Sequence, residues 1–551
     1  IDGGDNWSPI SDDLSVIGIS HIAINPENTD ELYIATGDAD GGDTYSIGIW
    51  KSFDAGLNWQ QTSFPEAQCN RIVVDPNSTN TIWAASSYGL YKSVDSGLSW
   101  NLIYSGNIKD FQLCPNDPNK VYFCSNSEMF FSHDGGESVS NSIGLSGDIT
   151  RICITTTLAN PSLVYIVTSG LGWGYNGVYK SSDYGQQFIL QNNTTDIFDG
   201  SEQAYYDMAI TASDSDENFL VAGVLNLWKS FDGGVNWVAV NSWSNPEQQA
   251  YTHADIHYLE YFNNRLYCGS DGGIYISEDN ALSFTDLSEQ LQIGQFYKIS
   301  AIQNDPFTVS GGLQDNGGFY FDNNDWIVWH GADGMETVIN PYNSSEVWGM
   351  IQYGGLYYSS SSGQDIIEYG SPEDGLWVTP MQYDSIDNKI LAGYSQLYSH
   401  DANNGWQQIS NYSFPALISQ IEVFQNNSDS IYIASGNKLY LSSDGGINIT
   451  PIDIPFDSQI TSIEVHPDNS STLWITRSGW NDSEKIYFSS DAGSTWENIS
   501  YNLPNLPLNV VKYHRGANAL YIGMDVGVYL LDQDLSIWLP FNNELPNVIV
   551  R

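Results

Sequence analysis

The feature that most restricts what this chain can fold into is an eight-residue pattern, Ser-x-Asp-x-Gly-x-x-Trp, that returns along its whole length. It stands as SFDAGLNW (residues 52–59), SVDSGLSW (93–100), SFDGGVNW (230–237) and SSDAGSTW (489–496). Weaker copies begin at Ser132, Ser181, Ser277 and Ser442, and SHDANNGW (399–406) keeps the Ser, Asp and Trp without the glycine. A motif of this length recurring every ~40–50 residues marks a repeat architecture in which each copy belongs to one supersecondary unit. The residue types suit a tight turn. Ser and Asp side chains bond the turn backbone, Gly supplies a positive φ, and the aromatic packs between neighbouring sheets. Asp54, Asp95, Asp134, Asp183, Asp232, Asp279, Asp401, Asp444 and Asp491 are therefore read as structural residues of turns and not as catalysts.

The segments around each turn alternate apolar and polar residues. ISHIAINP, ELYIATGD and GIWKSFD precede the first full turn, and NWQQT follows it. That reads as four short antiparallel strands per unit, which is one blade of a β-propeller. The expected fold is all-β: tandem propellers of four-stranded antiparallel blades. Counting turn aromatics and degenerate equivalents near Trp326, Ile366 and Trp538 gives about twelve units, and a partial unit at each end brings this to about fourteen. Two seven-bladed propellers fit that count, whereas a single ten-bladed ring leaves units over. The expected boundary falls near residue 290, where LSEQLQIGQFY starts a new run, giving domains 1–290 and 291–551. IDGGDNW at the start reads as the tail of a turn, and LPNVIVR at the end resembles LPNLPLNVVKYH (503–514), so a piece of a longer polypeptide is expected.

Sixty-six acidic against 17 basic residues give a formal charge of −49. Such a field repels nucleic acid and anionic membranes, whose recognition needs clustered Lys and Arg, and it favours cations as partners. No run approaches the ~18 apolar residues of a membrane span. Cys69, Cys114, Cys124, Cys153 and Cys268 are too scattered for a disulfide framework or a thiolate metal site. Cys114 and Cys124 end the runs FQLC and VYFC and are candidates for neighbours across a hairpin.

Two polar groups carry candidate chemistry. In HADIH, alternate residues of a strand would turn His253, Asp255 and His257 to one face, where two imidazoles and a carboxylate suit first a buried polar network at the junction of the propellers, then a divalent cation, then a catalytic or glycan-binding cleft. Asp271 in SDGG, Gln314, Asp315 and Asn316 in QDNGG, and Asp333 in HGADG lie in glycine-rich loops of the kind that line a propeller face. Asp38, Asp40 and Asp43 in GDADGGD read first as a solvated acidic loop and second as hard oxygen ligands for calcium, although the glutamate that closes an EF-hand-type loop is missing.

The turns resemble the Asp-boxes of the BNR superfamily, which includes sialidases, tandem-propeller xyloglucanases, sortilin-type receptors and many secreted bacterial proteins. A narrower likeness rests on YIATGDADGGDTYSIGIWKS, QAYYD, VLNLWKSFDGG, HADIH, GSDGGIYIS, QFYKIS, GGLQDNGG and HGADG, in this order. They are similar to a group of large secreted bacterial propeller proteins with adhesion modules and a type IX sorting domain. The resemblance implies secretion to the cell surface or beyond, and extracellular glycans or surface proteins as partners. Sialidase chemistry needs an arginine triad. Arg71, Arg151, Arg265, Arg477, Arg515 and Arg551 all lack the Arg-Ile-Pro context of that family. An inverting glycoside hydrolase needs two carboxylates ~6.5–9.5 Å apart; the resemblance to xyloglucanases puts one in a first blade expected upstream of Ile1, and Asp315 or Asp333 is the candidate for the other. Three functions are therefore expected to compete: a non-catalytic extracellular binding or structural module, a glycoside hydrolase of an inter-propeller cleft, and a sortilin-like peptide receptor. The acidity, the degenerate turns and the lack of a recognisable carboxylate pair favour the first.

Overall fold

The computed structural model describes the chain apart from residues 1–2, 5, 12–13, 15, 17, 40–43, 45, 65–67, 292, 303–304, 323, 402–403, 481–482, 533, 542–544 and 546–547. It divides into two compact units, Ile1–Ile293 and Gly294–Arg551. The described residues form twelve four-stranded antiparallel sheets, each a meander in chain order. Sheets 1–6 of the first unit span residues 19–61, 69–105, 110–141, 151–192, 209–239 and 256–286. Sheets 7–12 of the second span 296–330, 334–370, 381–408, 418–452, 460–498 and 508–540. Against the seven blades expected per unit, each unit thus holds six complete sheets among the described residues. The chain ends follow the repeat pattern. Trp7 Nε1 donates to Leu287 O at 2.9 Å, as Trp59 does to Ile10 O at 2.7 Å and Trp496 to Asp453 O at 2.9 Å. Val550 N–H donates to Met524 O as Ile256 does to Val224 and Ile418 to Tyr394.

Strand composition follows position in the sheet. Second strands such as Ile82–Ser86 and Ile431–Ser435 are buried throughout because a neighbouring sheet covers each face, so they read as unbroken apolar runs. Fourth strands such as Gln60–Gln61 and Glu497–Asn498 are exposed two-residue edges. The apolar cores are slabs between successive sheets. Tyr33, Ile49, Ile72 and Ile82 fill the space between sheets 1 and 2, Tyr165, Val178 and Leu220 that between sheets 4 and 5, and Ile486, Val511 and Ile522 that between sheets 11 and 12. Each wholly buried aliphatic contributes about 1.5–3 kcal/mol. In the first unit His21 of sheet 1 meets Tyr258 of sheet 6, ring centroids 6.4 Å apart, which closes the ring of inner strands.

The eight glycine- or alanine-bearing turns at Ser52, Ser93, Ser132, Ser181, Ser230, Ser277, Ser442 and Ser489 share one hydrogen-bond plan. The serine Oγ donates to the aspartate Oδ1 two residues on at 2.7–2.9 Å. It accepts the backbone N–H four residues on at 2.8–3.0 Å. The aspartate Oδ1 accepts the N–H four residues beyond it at 2.8–3.0 Å. Gly56, Gly97 and Gly493 take the left-handed conformation at φ +90°, +85° and +84°, where an L side chain is strained. Asp401 holds a different turn: it ends the strand Leu397–Asp401 and its Oδ1 accepts the Asn404 N–H at 2.9 Å. Near Ile366 the plan is rearranged, with Asp365 accepting from the Ser359 hydroxyl at 2.7 Å. The lysine before several of these serines pins the next sheet, as Lys92 Nζ donates to Gly135 O and Lys229 Nζ to Ala281 O, each at 2.9 Å.

A four-strand meander sorts its loops between two faces. Turns joining strands one to two and three to four lie on one face, which therefore carries the Ser-x-Asp turns. Hairpins joining strands two to three, and the connections to the next sheet, lie on the other. Asp38, SDGG and QDNGG sit in such hairpins and QAYYD, HADIH and HGADG in such connections, so within each unit these segments share the hairpin face. All five cysteines are free thiols. The expected Cys114–Cys124 neighbourhood is absent because the strand register sets Cys124 opposite Asp110 and Cys114 opposite Asp117.

Candidate functional site

The inner strands of the first unit surround a channel of about 770 Å³. Arg71, Lys109, Asp110, Arg151 and Glu260 line it, in a chain otherwise poor in cations. Arg71 Nη1 donates to Asp110 Oδ1 at 2.8 Å, and the other Asp110 oxygen accepts the Ile154 N–H at 2.8 Å. Burial, reinforced by the Arg71 charge, pushes the His21 imidazole down to about 3, so it stays neutral. The channel lining extends to Trp173, Tyr205 and His257, which belong to the hairpin-face segments.

Three carboxylates gather beside His257 on that face. The Asp271 carboxylate accepts from His257 Nε2 and from the Tyr206 hydroxyl, each at 2.8 Å. The Tyr206 ring stands edge-on to the imidazole, centroids 4.7 Å apart. The Gln203 amide nitrogen donates both to Asp207 Oδ2 at 3.3 Å and to Asp255 Oδ1. A tight turn closed by Tyr206 and Asp207 N–H groups on Gln203 O tucks the Asp207 side chain inside, where it is 0% exposed. Burial, followed by the nearby Asp255 charge, pushes the Asp207 carboxyl up to about 7. Burial and then the Asp271 charge also raise Asp255. Burial works to raise Asp271 too, but the His257 bond and charge, with the Tyr206 hydroxyl, outweigh it and leave that carboxyl below its usual value.

The strand expected to present His253, Asp255 and His257 on one face begins only at Ile256. Asp255 lies before it at φ +63°, a left-handed kink that breaks the alternation. His257 consequently faces Asp271, Asp255 faces Gln203, and the His253 ring lies over the hairpin glycine Gly272, where a Cβ would stand 2.3 Å from its ring carbon Cγ. Two imidazoles and one carboxylate are thus replaced by three carboxylates and one imidazole. Gln203, Tyr206 and Asp207 were not singled out in the sequence. Their signal was the clustering of Gln, Tyr and Asp in QAYYD, a connection with no periodic pattern to explain it. Asp38 lies in the first hairpin of its unit; Asp40 and Asp43, the rest of the expected calcium loop, lie outside the described residues.

In the second unit, the carboxylate of Asp333 accepts the Asp315 N–H at 2.9 Å, and the Asp333 N–H donates to Gln352 Oε1 at 3.3 Å. Gln314 N–H bonds Gln295 O, and Asn316 Nδ2 donates to Gln314 O at 2.9 Å. The glycines of these motifs answer to close packing of sheets 7 and 8. A Cβ on Gly312 would sit 2.2 Å from Met335 O, and one on Gly334 2.0 Å from Gly317 O. An opening of about 340 Å³ is lined by Lys298, Glu336 and Trp377, and Lys512 Nζ on the first strand of sheet 12 pairs with Glu464 at 2.8 Å.

Both units carry the same aromatic arrangement. In the first, Trp173 ends the 3-10 turn Leu171–Trp173 at φ +64° and meets Tyr205 edge-on, centroids 6.0 Å apart. In the second, Tyr353 stands in the 3-10 turn Gln352–Gly354 at φ +63° and meets Trp377 edge-on at 5.4 Å. Each pair joins a strand two-to-three hairpin to the connection that follows the same sheet. All four rings are solvent-accessible, with exposures of 36%, 54%, 50% and 43% for Trp173, Tyr205, Tyr353 and Trp377. A large aromatic at positive φ is strained, and such residues concentrate at functional sites.

Residues 394–518 match the Sortilin-Vps10 family, described as sortilin, neurotensin receptor 3. No curated protein matches the sequence. Among solved structures, the GH74 xyloglucanase from Xanthomonas campestris is similar over 98% of this chain and 89% of its own, at 15% identity and a TM-score of 0.66. A GH74 enzyme from Niastella koreensis is similar over 96% of this chain and 86% of its own, at 18% identity and a TM-score of 0.62. Identities this low bear on the fold alone, and with the stacked four-stranded meanders they make this chain a β-propeller protein.

Proposed function

We propose that this chain is a non-catalytic, extracellular binding module of a larger secreted surface protein, and that its hairpin faces hold glycan. The observation that carries the reading is the pair of matching exposed aromatic platforms, Trp173–Tyr205 and Tyr353–Trp377. A pyranose ring presents a face of C–H groups that stacks on an aromatic face, and Trp and Tyr add a polar edge for its hydroxyls. The strained backbone of Trp173 and Tyr353 fixes each platform before a ligand arrives, which lowers the entropy lost on binding. Adhesion at a cell surface, and export by a type IX route, follow from the family resemblance.

Hydrolysis fits less well. Asp207 holds its proton up to about 7, as a general acid requires, but it is wholly enclosed, so no glycosidic oxygen reaches it. One oxygen of Asp333 is occupied as a turn cap for Asp315. A peptide ligand in the second unit is the other reading, favoured by the sortilin match over residues 394–518 and by the charged opening there. Affinity electrophoresis of the intact protein through gels containing neutral or acidic polysaccharides, run beside a reducing-end assay, tests the proposal. It predicts retardation by at least one polysaccharide with no reducing ends released. Reducing ends released in step with time and protein concentration would overturn it.

A further inference from the structure

The channel of the first unit brings positive charge to the aromatic platform at its mouth. First strands run from the hairpin face to the Ser-x-Asp face, so the residues that open them stand at the hairpin-face end. Lys109 precedes the strand Asp110–Cys114, and Arg151 begins the strand Arg151–Thr156 on the next sheet. Both line the channel together with Trp173 and Tyr205. Arg151 Nη1 donates to Ala204 O and Tyr205 O, each at 3.0 Å, which fixes the guanidinium against the backbone of the platform itself. Lys109 Nζ donates to Ala39 O at 3.3 Å, in the hairpin of sheet 1. The carboxylates that line the channel are engaged elsewhere. Asp110 accepts from Arg71 and from the Ile154 N–H, and Glu260 accepts from the Tyr258 hydroxyl. Asp214 lies at the opposite end, where it accepts the Asn264 N–H at 2.9 Å. Asp148 and Glu202, on the loops beside the platform, are exposed and do not line the channel. Trp173 is followed by Gly174 at φ −78°, a conformation open to any residue, and a Cβ there would meet nothing nearer than Ser201 O at 3.9 Å. Neither backbone nor packing requires that glycine, and its bare Cα leaves room for a ligand beside the indole.

We propose that the first-unit platform takes an acidic sugar, carboxylated or sulfated, whose ring stacks on Trp173 and Tyr205 while its anionic group meets Arg151 and Lys109. This rests on the reading of the platform as a glycan site and names the class of glycan. A guanidinium offers a planar fork of donors to an oxyanion, and an ammonium adds a mobile point charge beside it. The formal charge of −49 repels a polyanion at a distance, but at physiological salt that field is screened beyond about 8 Å. The two cations at the mouth therefore govern the final approach. A cavity of about 770 Å³ falls in the range of small-ligand sites, about 300–1,000 Å³, so it holds a few sugar units of a longer chain.

The test is titration calorimetry of the intact protein at physiological ionic strength with trigalacturonate, its methyl ester and a sulfated galactan oligosaccharide. At least one acidic probe should bind about tenfold or more tighter than the ester, as expected for hydrogen bonds to a charged group. Preference for either acid supports the proposal and tells carboxylate from sulfate. Arg151→Gln keeps a side-chain N–H for the Ala204 and Tyr205 carbonyls, and should lower the acidic probe to the ester's affinity with the ester unchanged. Lys109→Gln is the second variant should Arg151→Gln fail to fold, and it should move the acidic probe in the same direction. Equal affinity for acid and ester would overturn the inference and leave the glycan reading standing. So would failure of all three probes to bind a chain that polysaccharide gels still retard. A preference for acid that survives both substitutions but disappears in Lys298→Gln would put the anion in the second unit and overturn it as well. Acid binding lost in Arg151→Gln but untouched in Trp173→Ala would reveal an anion site with no sugar platform, and there the glycan reading itself would fail.

Discussion

Removing one serine hydroxyl from a turn, as in Ser93→Ala, separates the roles of its two signature residues. Ser93 is wholly buried. Its Oγ donates to Asp95 Oδ1 at 2.8 Å and accepts the N–H groups of Gly97 at 2.9 Å and Asp95 at 3.3 Å. Alanine removes all three contacts without opening a cavity of consequence. The Gly97 N–H is buried and has no other partner to turn to, which costs about 1–3 kcal/mol. The Asp95 carboxylate is at the surface and rehydrates, so its lost bond adds little. The cost is thus about 1–3 kcal/mol, or about 5- to 140-fold in the opening equilibrium at tenfold per 1.4 kcal/mol. Hydrogen exchange read by mass spectrometry on a peptide spanning residues 89–105 measures that opening directly. Asp95→Asn keeps an acceptor oxygen for the Ser99 N–H, now 2.8 Å from Asp95 Oδ1, and should accelerate exchange by about tenfold or less. Equal or slower exchange in Ser93→Ala than in Asp95→Asn would refute the view that the buried serine, more than the acid, holds the turn.

Two further outcomes follow from the same geometry. Gly312→Ala should abolish soluble second-unit structure, because its Cβ meets the backbone at Met335 and Gly334 within 2.3 Å, whereas Gly331→Ala, with no atom within 4 Å, should melt normally. Soluble yield and calorimetry distinguish the two. In acid, the turn aspartates should set the stability limit. Hydrogen bonds from Ser138 and Ser132 hold Asp134 down to about 2, and those from Ser283 and Ser277 overcome burial to do the same for Asp279. A depressed folded value means stability fully present above about pH 4 and lost as pH falls toward 2. Melting temperature should not fall between pH 6 and 4, where the raised Asp207 carboxyl increasingly favours the folded state, and should drop below pH 4; a fall that begins near pH 6 would contradict this.

What could be read from the sequence was whatever repeats. The turn motif recurs with its serine, aspartate and glycine at fixed offsets because each residue satisfies a local backbone group, so the four-strand unit and its chain-wide repetition were visible. The apolar second strands announced themselves for the same reason. The candidate site was only half legible. HADIH drew attention by composition, but its geometry depends on a left-handed Asp255, which no periodicity signals. Asp207 gained its character from burial under a turn closed by Gln203, a tertiary fact. The glycines of GGLQDNGG and HGADG looked like ligand-binding loops and serve in large part as contact points between sheets. The aromatic platforms were hidden among Trp residues that belong to turns; only their positions, Trp173 in a hairpin and Trp377 in a connection between sheets, distinguish them.

The central claim is that the Ser-x-Asp face is scaffold and the hairpin face binds. The most direct measurement is affinity electrophoresis of the intact protein in the polysaccharide that retards it, comparing Trp173→Ala and Trp377→Ala with Phe53→Ala, an aromatic 57% exposed beside a Ser-x-Asp turn. Loss of retardation in either tryptophan variant, with Phe53→Ala unchanged, is the predicted result. Full retardation in both tryptophan variants, or loss in Phe53→Ala alone, would contradict the account.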